Sequence, residues 1–406
     1  KHTYPFCWRC GTPLLYYAKE TWYIRTNAVK DKLINNNEKL NWYPDYIKYG
    51  RFGDWLKNNI DWAFSRERYW GTPLPIWRCE SCGQKECVGS IDEMCRRSGL
   101  AADKFKSDEL GIHRPVVDEV TFECENCGGK LKRSPEVIDC WLDSGDMPVA
   151  QEHYPFNENS KNIFEDGRFP ADYICEAVDQ TRGWFYSLHA ISTLLFDEAA
   201  FKNVICLGHI LDAKGEKMSK SRGNVVDPWQ IIDRYGADAL RWYCLTATPP
   251  GNVKKFDEKN VAEITRRFQL ILWNVYSFFI MYANIDKFIP QREADIEPAA
   301  ELDRWITSEL NQLIMDVDKD LENYDPTSAG RKMELFVDNL SNWYIRRSRR
   351  RFWKSENDSD KIAAYYTLYD CLVKFVKLLA PFMPFMSEGI YQNLVRSANN
   401  LSLIHI

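Results

Sequence analysis

Lys217-Met218-Ser219-Lys220-Ser221 places two ammonium groups and two hydroxyls within five residues, and Arg222, Gly223 and Asn224 follow. Gly215 and Gly223 leave this stretch conformationally free. Lysines so placed can neutralise a triphosphate as charge shifts onto a leaving pyrophosphate. A solvated basic loop between a strand and a helix would show the same residue types. The cysteines offer a second chemistry. Cys79 and Cys82 form one C-x-x-C pair, Cys124 and Cys127 another, and a glycine follows the second cysteine of each. Four thiolates at this spacing can make a tetrahedral structural zinc site; the alternative is four free thiols. Cys87 and Cys95 are spare, and one of them could replace a ligand. A closed four-thiolate site has no open position, so its role would be folding. A third group is basic: Arg346 to Lys354 holds five arginines and one lysine, with Phe352 and Trp353 among them. On a helix this is a stripe suited to phosphate contact. It could equally be a solvated face whose arginine stems pack on a bundle.

These groups need elements to hold them. Asp227 and Pro228 make a helix start, with Asp near the N-cap and Pro in the first turn. Trp229, Ile231, Ile232 and Tyr235 are expected to give that helix its buried face. YICEA at 173–177 and NVICLGHIL at 203–211 read as buried strands, and TRGWFYSLHAISTLLF at 181–196 as the helix between them. TWYIRT at 21–26 is one of several short strand-like runs in 1–75. Residues 77–133 read as a small metal-stapled insertion. From about 255 the pattern is helical: segments 261–283, 301–323, 328–353 and 361–379 carry apolar residues at three- and four-residue spacing. Pro290 and Pro298 punctuate a linker at about 285–300. The plan is an α/β domain with an insertion, then a helical bundle.

The 406 residues are too many for one ordinary domain. At 45% hydrophobic they can build sizeable cores. A net charge of −5 excludes a globally basic nucleic-acid binder, so any RNA contact must come from local patches. Residues 1–20 do not read as a signal peptide. The 13 cysteines then favour reduced thiols and a cytoplasmic location. No stretch of about 18 apolar residues is apparent, so no membrane span is expected. The chain opens on Lys1 and stops at LSLIHI without a helix stop signal, which reads as a piece of a longer protein.

The lysine–serine string resembles the KMSKS motif of the class I aminoacyl-tRNA synthetases letter for letter. The resemblance implies that amino acid attacks ATP, giving an aminoacyl-adenylate and pyrophosphate. The aminoacyl group then passes to the terminal adenosine of tRNA. Lys220 would be the main ATP contact and Lys217 the supporting one, with Ser219 and Ser221 between and beside them. The stretch Glu176-Ala177-Val178-Asp179-Gln180-Thr181-Arg182-Gly183-Trp184-Phe185 resembles the isoleucyl branch of this family. By position, Glu176 and Gln180 would bind the adenylate or the amino acid's polar end, with Asp179 beside them. Trp184 would wall the isoleucine pocket. A carboxylate suits the substrate ammonium, and Trp suits an aliphatic side chain. Ala177 departs from the usual Gly. Asp139-Cys140-Trp141-Leu142-Asp143-Ser144-Gly145 resembles the DxWFDSG motif, with Leu142 for Phe, and makes Trp141 a second wall candidate. Arg66-Glu67-Arg68-Tyr69-Trp70-Gly71-Thr72-Pro73 is similar to a string of the isoleucyl, valyl and leucyl group, which would close around the tRNA acceptor end or the adenylate. Gly208 and His209 lie where the family has a segment that approaches the nucleotide.

Several further expectations follow from the resemblance. The fold would be the second half of a class I Rossmann-type nucleotide-binding catalytic domain over 1–245, with its zinc-binding insertion at about 77–133. A helical stem-contact or linker region would span 246–300, and an all-α anticodon-binding bundle 301–406. Glu301-Leu302-Asp303-Arg304-Trp305-Ile306 and Asn342-Trp343-Tyr344-Ile345-Arg346-Arg347 carry that last likeness. Arg346, Arg347, Arg350 and Arg351 become candidate tRNA contacts. The partners would be tRNA(Ile), isoleucine and ATP with Mg2+, acting on a monomer with structural zinc. Cys7 and Cys10 would be half of another zinc site. The HIGH motif and the editing domain are not found, so the chain by itself is expected to be inactive. A valyl or leucyl enzyme is the nearest alternative, and a noncatalytic tRNA-binding paralogue the next. A pocket for one aliphatic side chain discriminates a methylene by only about 1–3 kcal/mol.

Overall fold

The structure is a computed structural model that describes residues 4–7, 10–101, 105, 111–219, 222–290, 300–356 and 358–395. Lys220 and Ser221 therefore lie outside the described residues. The chain divides into two compact units: Lys1–Ile174 with Asp179–Val204, and Cys175–Val178 with Ile205–Ile406.

The first unit is α/β. Strand β1 (Asn41–Tyr43) follows helix α1 (Lys30–Glu38). An insertion then carries β2 (Ile76–Cys79), β3 (Lys85–Cys87), helix α2 (Ile91–Ser98), β4 (Thr121–Glu123) and β5 (Lys130–Arg133). These strands form one antiparallel sheet in the order β3-β2-β5-β4. Its core is small: Trp77, Val88, Met94, Phe105, Val117, Val120, Phe122 and Leu131. Helix α3 (Cys140–Gly145) starts at Asp139, whose carboxylate caps the Trp141 amide. Strand β6 (Ala171–Ala177), helix α4 (Trp184–Phe196) and strand β7 (Phe201–Leu207) follow, the last three residues of each strand being assigned to the second unit, and the sheet order is β6-β7-β1.

Both expected strands exist, but only one is buried. Central β7 buries Phe201, Val204, Ile205 and Cys206, whereas edge strand β6 buries Ile174 alone and leaves Tyr173 half exposed. An edge strand has a neighbour on one side only. Helix α4 is apolar nearly all round and is accordingly buried from Phe185 to Thr193.

Buried in α4, His189 donates from Nε2 to the Leu33 carbonyl at 2.8 Å. Its Nδ1 is buried without a partner among the described residues. A second proton would have no acceptor, and burial holds the imidazole down at about 4. The unfolded chain takes up that proton near 6.5 and the folded one does not, so stability falls as pH drops from about 6.5 towards 4. The shift is worth up to ~3 kcal/mol. Urea unfolding of the first unit at pH 7 and pH 5 should show the loss, and His189→Gln should flatten it. Equal pH slopes for the two proteins would discard this account.

The second unit opens with β8 (Ile210–Leu211), which pairs in parallel with β9 (Lys254–Lys255). Helices α5 (Pro228–Tyr235), α6 (Ala237–Thr246) and α7 (Glu258–Ile264) surround this pair in sequence, and α8 (Leu270–Ile285) continues α7 through a wider turn at Thr265–Gln269. The bundle then comprises α9 (Glu301–Glu322), α10 (Pro326–Asp338), α11 (Arg346–Trp353), α12 (Ser359–Leu379) and α13 (Pro384–Val395). The expected single helix at 328–353 is continuous, but Asn339–Ile345 winds as a π-type turn between α10 and α11. Phe268, Leu272, Phe279, Ile306, Leu340, Tyr344, Leu368 and Phe375 are among the side chains of one shared core.

Two expectations are corrected. Helix α5 buries Ile231, with Ile232 and Tyr235 partly covered, but Trp229 is 70% exposed. Trp229 is the second residue of the helix, and its amide bonds back to the Asp227 cap while its ring turns outward. The expected lack of any long apolar run also fails, because Glu258–Ile285 is long and apolar enough to cross a membrane by length and composition. Leu272, Val275, Tyr276, Phe279 and Ala283 on that helix face the bundle core, while Leu270, Trp273, Met281 and Ile285 are exposed.

Candidate functional site

The four insertion cysteines meet. Their Sγ atoms all lie within 4.8 Å of one another. Cys79 and Cys127 are 3.5 Å apart, and Cys82 and Cys124 3.7 Å. A tetrahedron with four metal–sulfur bonds of ~2.3 Å has edges of ~3.8 Å, so the donor set fits a tetrahedral ion. Each pair sits on the same backbone turn. Gly83 donates to the Cys79 carbonyl and Gly128 to the Cys124 carbonyl, at 3.1 and 2.8 Å. Both glycines have positive φ, +75° and +69°. The Gln84 amide and the Asn126 side chain hold the Cys82 thiol down at about 6, so it is poised to ligate as thiolate. Burial pushes Cys124 up instead. Cys87 stands apart from the cluster, and partial desolvation of its sulfur, with the nearby Glu93 charge, raises its thiol.

Cys7 and Cys10 repeat this turn. Gly11 donates to the Cys7 carbonyl at 2.8 Å with φ +69°, and Cys7 donates to the Thr12 carbonyl at 2.8 Å. The Thr12 hydroxyl, 3.0 Å from the Cys10 sulfur, holds that thiol at about 7. Among the described residues, these two have no second pair beside them.

Within the first unit, residues from two separate stretches come together around Gly183. A Cβ built there would lie 2.6 Å from Gln180 Oε1 and 3.1 Å from Trp141 Cη2, so a side chain at this position would displace Gln180. Gln180 Oε1 accepts from the Trp184 amide at 3.0 Å, and its Nε2 donates to Asp179 at 3.1 Å. The Trp184 indole donates to the Ser144 carbonyl at 3.0 Å, which fixes its ring against α3. Trp184 is half-buried and Trp141 39% exposed. Asp139 is buried and paired with Arg66, so the first arginine of the RERYWG stretch is an ion-pair partner. Burial raises Asp143 and Asp146 above their ordinary values, and the charges of Asp139 and Asp143, respectively, add to it. Asp179 is exposed in this unit. Glu176 is exposed in the second unit, at the end of β6.

The lysine loop belongs to the second unit. Leu211 and Lys217 bridge across a tight hairpin whose turn residue Gly215 has φ +86°. Asp212 Oδ1 accepts from the Lys214 and Glu216 amides. Asn224 then ties the loop together. Its Nδ2 donates to Asp212 Oδ2 at 2.9 Å and to the Lys217 carbonyl at 3.3 Å, and its Oδ1 accepts from the Ser219 amide at 2.9 Å. Asn224, with the Asp212 turn, holds Asp212 below the usual range. Lys217 is exposed and free to meet an anion. Gly208 sits where a Cβ would be 2.2 Å from the Asn252 carbonyl, and His209 beside it is exposed. Asp212 and Asn224 had no assigned role in the sequence. The cue was an Asp three residues before a glycine, a common turn signature.

The basic stripe divides. Arg346, Arg347 and Arg350 are exposed, and Arg347 stacks over the half-exposed Trp343 ring at 4.3 Å. Arg351 is corrected to a structural role. Its guanidinium grips both oxygens of fully buried Asp303, at 2.6 and 2.7 Å. Arg350 and Arg351 are adjacent, and the 100° between successive helical residues is enough to turn one to solvent and the other to the bundle.

The fold and this site define a class. Residues 14–257 match the family described as tRNA synthetases class I (I, L, M and V), and residues 303–406 match the anticodon-binding domain of tRNA ligase. The chain belongs to the class I tRNA synthetases. Its curated relatives include an isoleucine–tRNA ligase of Dehalococcoides mccartyi, 66% identical over 402 residues, covering 99% of this chain and 39% of that protein. That of Thermus thermophilus is 52% identical over 397 residues, covering 98% and 37%. The chain thus spans about two fifths of the length of the curated relatives it matches. Two solved structures share the fold. A leucyl-tRNA synthetase of Agrobacterium radiobacter, in a ternary complex, has TM-score 0.62 and 23% identity, covering 89% of this chain and 45% of that one. A Mycobacterium tuberculosis methionyl-tRNA synthetase with methionyl-adenylate has TM-score 0.66 and 19% identity, covering 98% and 69%.

Proposed function

We propose that this chain is part of an isoleucine–tRNA ligase, which activates isoleucine with ATP and transfers it to the terminal adenosine of tRNA(Ile). The observation that carries this reading is the joining of Trp141, Gln180 and Trp184 around Gly183. Two flat apolar rings suit an aliphatic side chain, and Gln180 with Asp179 suits the ammonium and carboxylate ends. Glu176 is a further candidate for the polar end. Lys217 and Lys220, with Ser219 and Ser221, neutralise the polyphosphate of ATP, which brings its Mg2+. Asn224 keeps residues 212–219, which carry Lys217, in one shape, so less ordering is needed when ATP arrives. Gly208 and His209 approach the nucleotide. Zinc takes Cys79, Cys82, Cys124 and Cys127, supplies folding energy and does no chemistry. Cys7 and Cys10 would need a partner pair. Arg346, Arg347 and Arg350 contact tRNA. The domain division is 1–245, 246–300 and 301–406, and a cytoplasmic place follows from this activity.

The test replaces the matched segment of the Dehalococcoides mccartyi relative with this chain and follows ATP–pyrophosphate exchange. Exchange should be strongest with isoleucine. Strongest exchange with valine or leucine would keep the ligase and discard the roles of Trp184 and Gln180. A folded chimera with no exchange would leave a noncatalytic tRNA binder. In the active chimera, Lys220→Ala should slow exchange by on the order of 10²–10³-fold. Asn224→Ala should slow it about tenfold, with isoleucine KM unchanged. An Asn224→Ala rate equal to that of the parent would remove the positioning role.

A further inference from the structure

Beside the lysine loop, the second unit holds a cavity of about 600 Å³ whose lining includes Thr248, Lys255 and Arg331. Its donors are only partly spent. Lys254 gives its ammonium to the Cys244 carbonyl, and Arg267 pairs with Glu263 at 2.7 Å. Glu334 accepts the Trp242 indole at 2.9 Å. The side chains of Lys255 and Arg331 have no partner among the described residues. The Thr248 hydroxyl is buried with none. A neutral ligand would gain little from two such cations. A phosphate offers each of the three donors an acceptor oxygen.

The floor of this cavity is the strap that carries the lysine loop. Gly208 donates to the Pro250 carbonyl at 2.7 Å. Lys254 donates to the His209 carbonyl at 2.9 Å, and Phe256 to the Leu211 carbonyl at 2.8 Å. Ile210 pairs with Lys254 and Leu211 with Lys255. The Lys255 stem then crosses the turn of the hairpin, so close that a Cβ at Gly215 would lie 3.1 Å from its Cε. A group that fixes Lys255 therefore fixes the backbone that leads into Lys217.

We propose that this cavity binds a backbone phosphate of RNA through Lys255, Arg331 and Thr248, and that its occupancy orders the lysine loop through the strap of residues 252–255. The inference rests on the tRNA reading above and adds a coupling to it. By linkage, a polyphosphate on the loop tightens RNA binding by the same factor that RNA tightens the loop's ligand. Couplings of this kind are typically about 5–150-fold.

Amide hydrogen exchange on the whole chain, with and without a short RNA duplex, tests it. RNA should slow exchange at 209–217 and 252–255. In Lys255→Glu with Arg331→Glu that protection should vanish, while RNA-dependent protection at 346–350 remains. The slope of log affinity against log salt should fall in magnitude by about 1, since one phosphate contact is lost. Lys255→Met with Arg331→Met keeps the stems and should give the same loss, which separates charge from misfolding. Undiminished protection of 209–217 in either double variant overturns the proposal. So does protection by inorganic phosphate at matched ionic strength with none from RNA, which would make the site one for free phosphate. Absence of RNA protection anywhere in the parent chain overturns it together with the tRNA reading, whereas loss confined to 209–217 and 252–255 leaves that reading standing.

Discussion

Replacing Cys124 with serine is expected to unfold residues 76–133. The insertion has too small a core to hold itself. About ten buried side chains on a four-stranded sheet must offset the ordering of nearly sixty residues. Meanwhile four sulfurs approach within 4.8 Å of one another. As thiolates they repel, and a dication converts that repulsion into binding. Structural zinc in small domains contributes on the order of 10 kcal/mol of apparent binding free energy, all of it folding free energy where the metal-free module is unfolded. A strong chelator should therefore have the same effect as Cys124→Ser. Hydrogen exchange at β2 to β5 would become fast, and zinc returned to the wild type would restore protection. Cys87→Ser should change neither, since its sulfur stands outside the cluster. If the sheet stays protected in chelator, the four cysteines are ordinary thiols and the metal assignment falls.

The second large effect belongs to Asp303. This carboxylate is fully buried, and it accepts from both Arg351 nitrogens, from the Tyr344 hydroxyl at 2.8 Å and from the Ala300 amide at 3.1 Å. Burial alone would raise it, but Arg351 and these donors hold it below the usual carboxylate range. Asp303→Asn leaves a mostly buried guanidinium with only the half-exposed Asp360, at 2.9 Å, as its counter-charge. Removing one partner of such a pair costs about 3–5 kcal/mol. Asp303→Leu with Arg351→Met should recover most of that loss, because the pair itself is close to neutral against an apolar replacement. Urea midpoints of the three proteins decide it. Because the folded carboxyl titrates lower than the unfolded one, its contribution is present above about pH 4 and is lost as pH falls through the folded value. A single Asp303→Asn variant within 1 kcal/mol of wild type would show that the pair is not essential to the bundle.

Much of the site was legible in local spacing. Two C-x-x-C pairs demand tight turns, and glycine after each second cysteine supplies them. Alternating lysine and serine beside glycines marks an anion loop wherever it is placed. Three- and four-residue apolar spacing yields helices because a helix turns 100° per residue. These are signals within a few residues, and the backbone answers them locally.

The sequence could not tell Arg350 from Arg351, because their partners are distant. Asp303 lies 48 residues from Arg351 in the chain, and only the packing of α9 and α11 on the same helix, α12, turns that one arginine inward. Trp229 kept helical spacing yet faces out, since among the described residues the first turn of α5 is left exposed from 227 to 230. Trp141 and Trp184 sit 43 positions apart and both come to lie beside Gly183 because Gly145 lets α3 and α4 approach closely; a Cβ at Gly145 would lie 2.6 Å from Ile191. Asp212 and Asn224 were silent for the same reason, since a side chain that braces a loop is visible only once the loop has a shape. The residue types and their local spacing determined what chemistry this chain could carry. The tertiary structure decided which side chains are free to perform it, because burial and pairing depend on neighbours that the chain brings from far away.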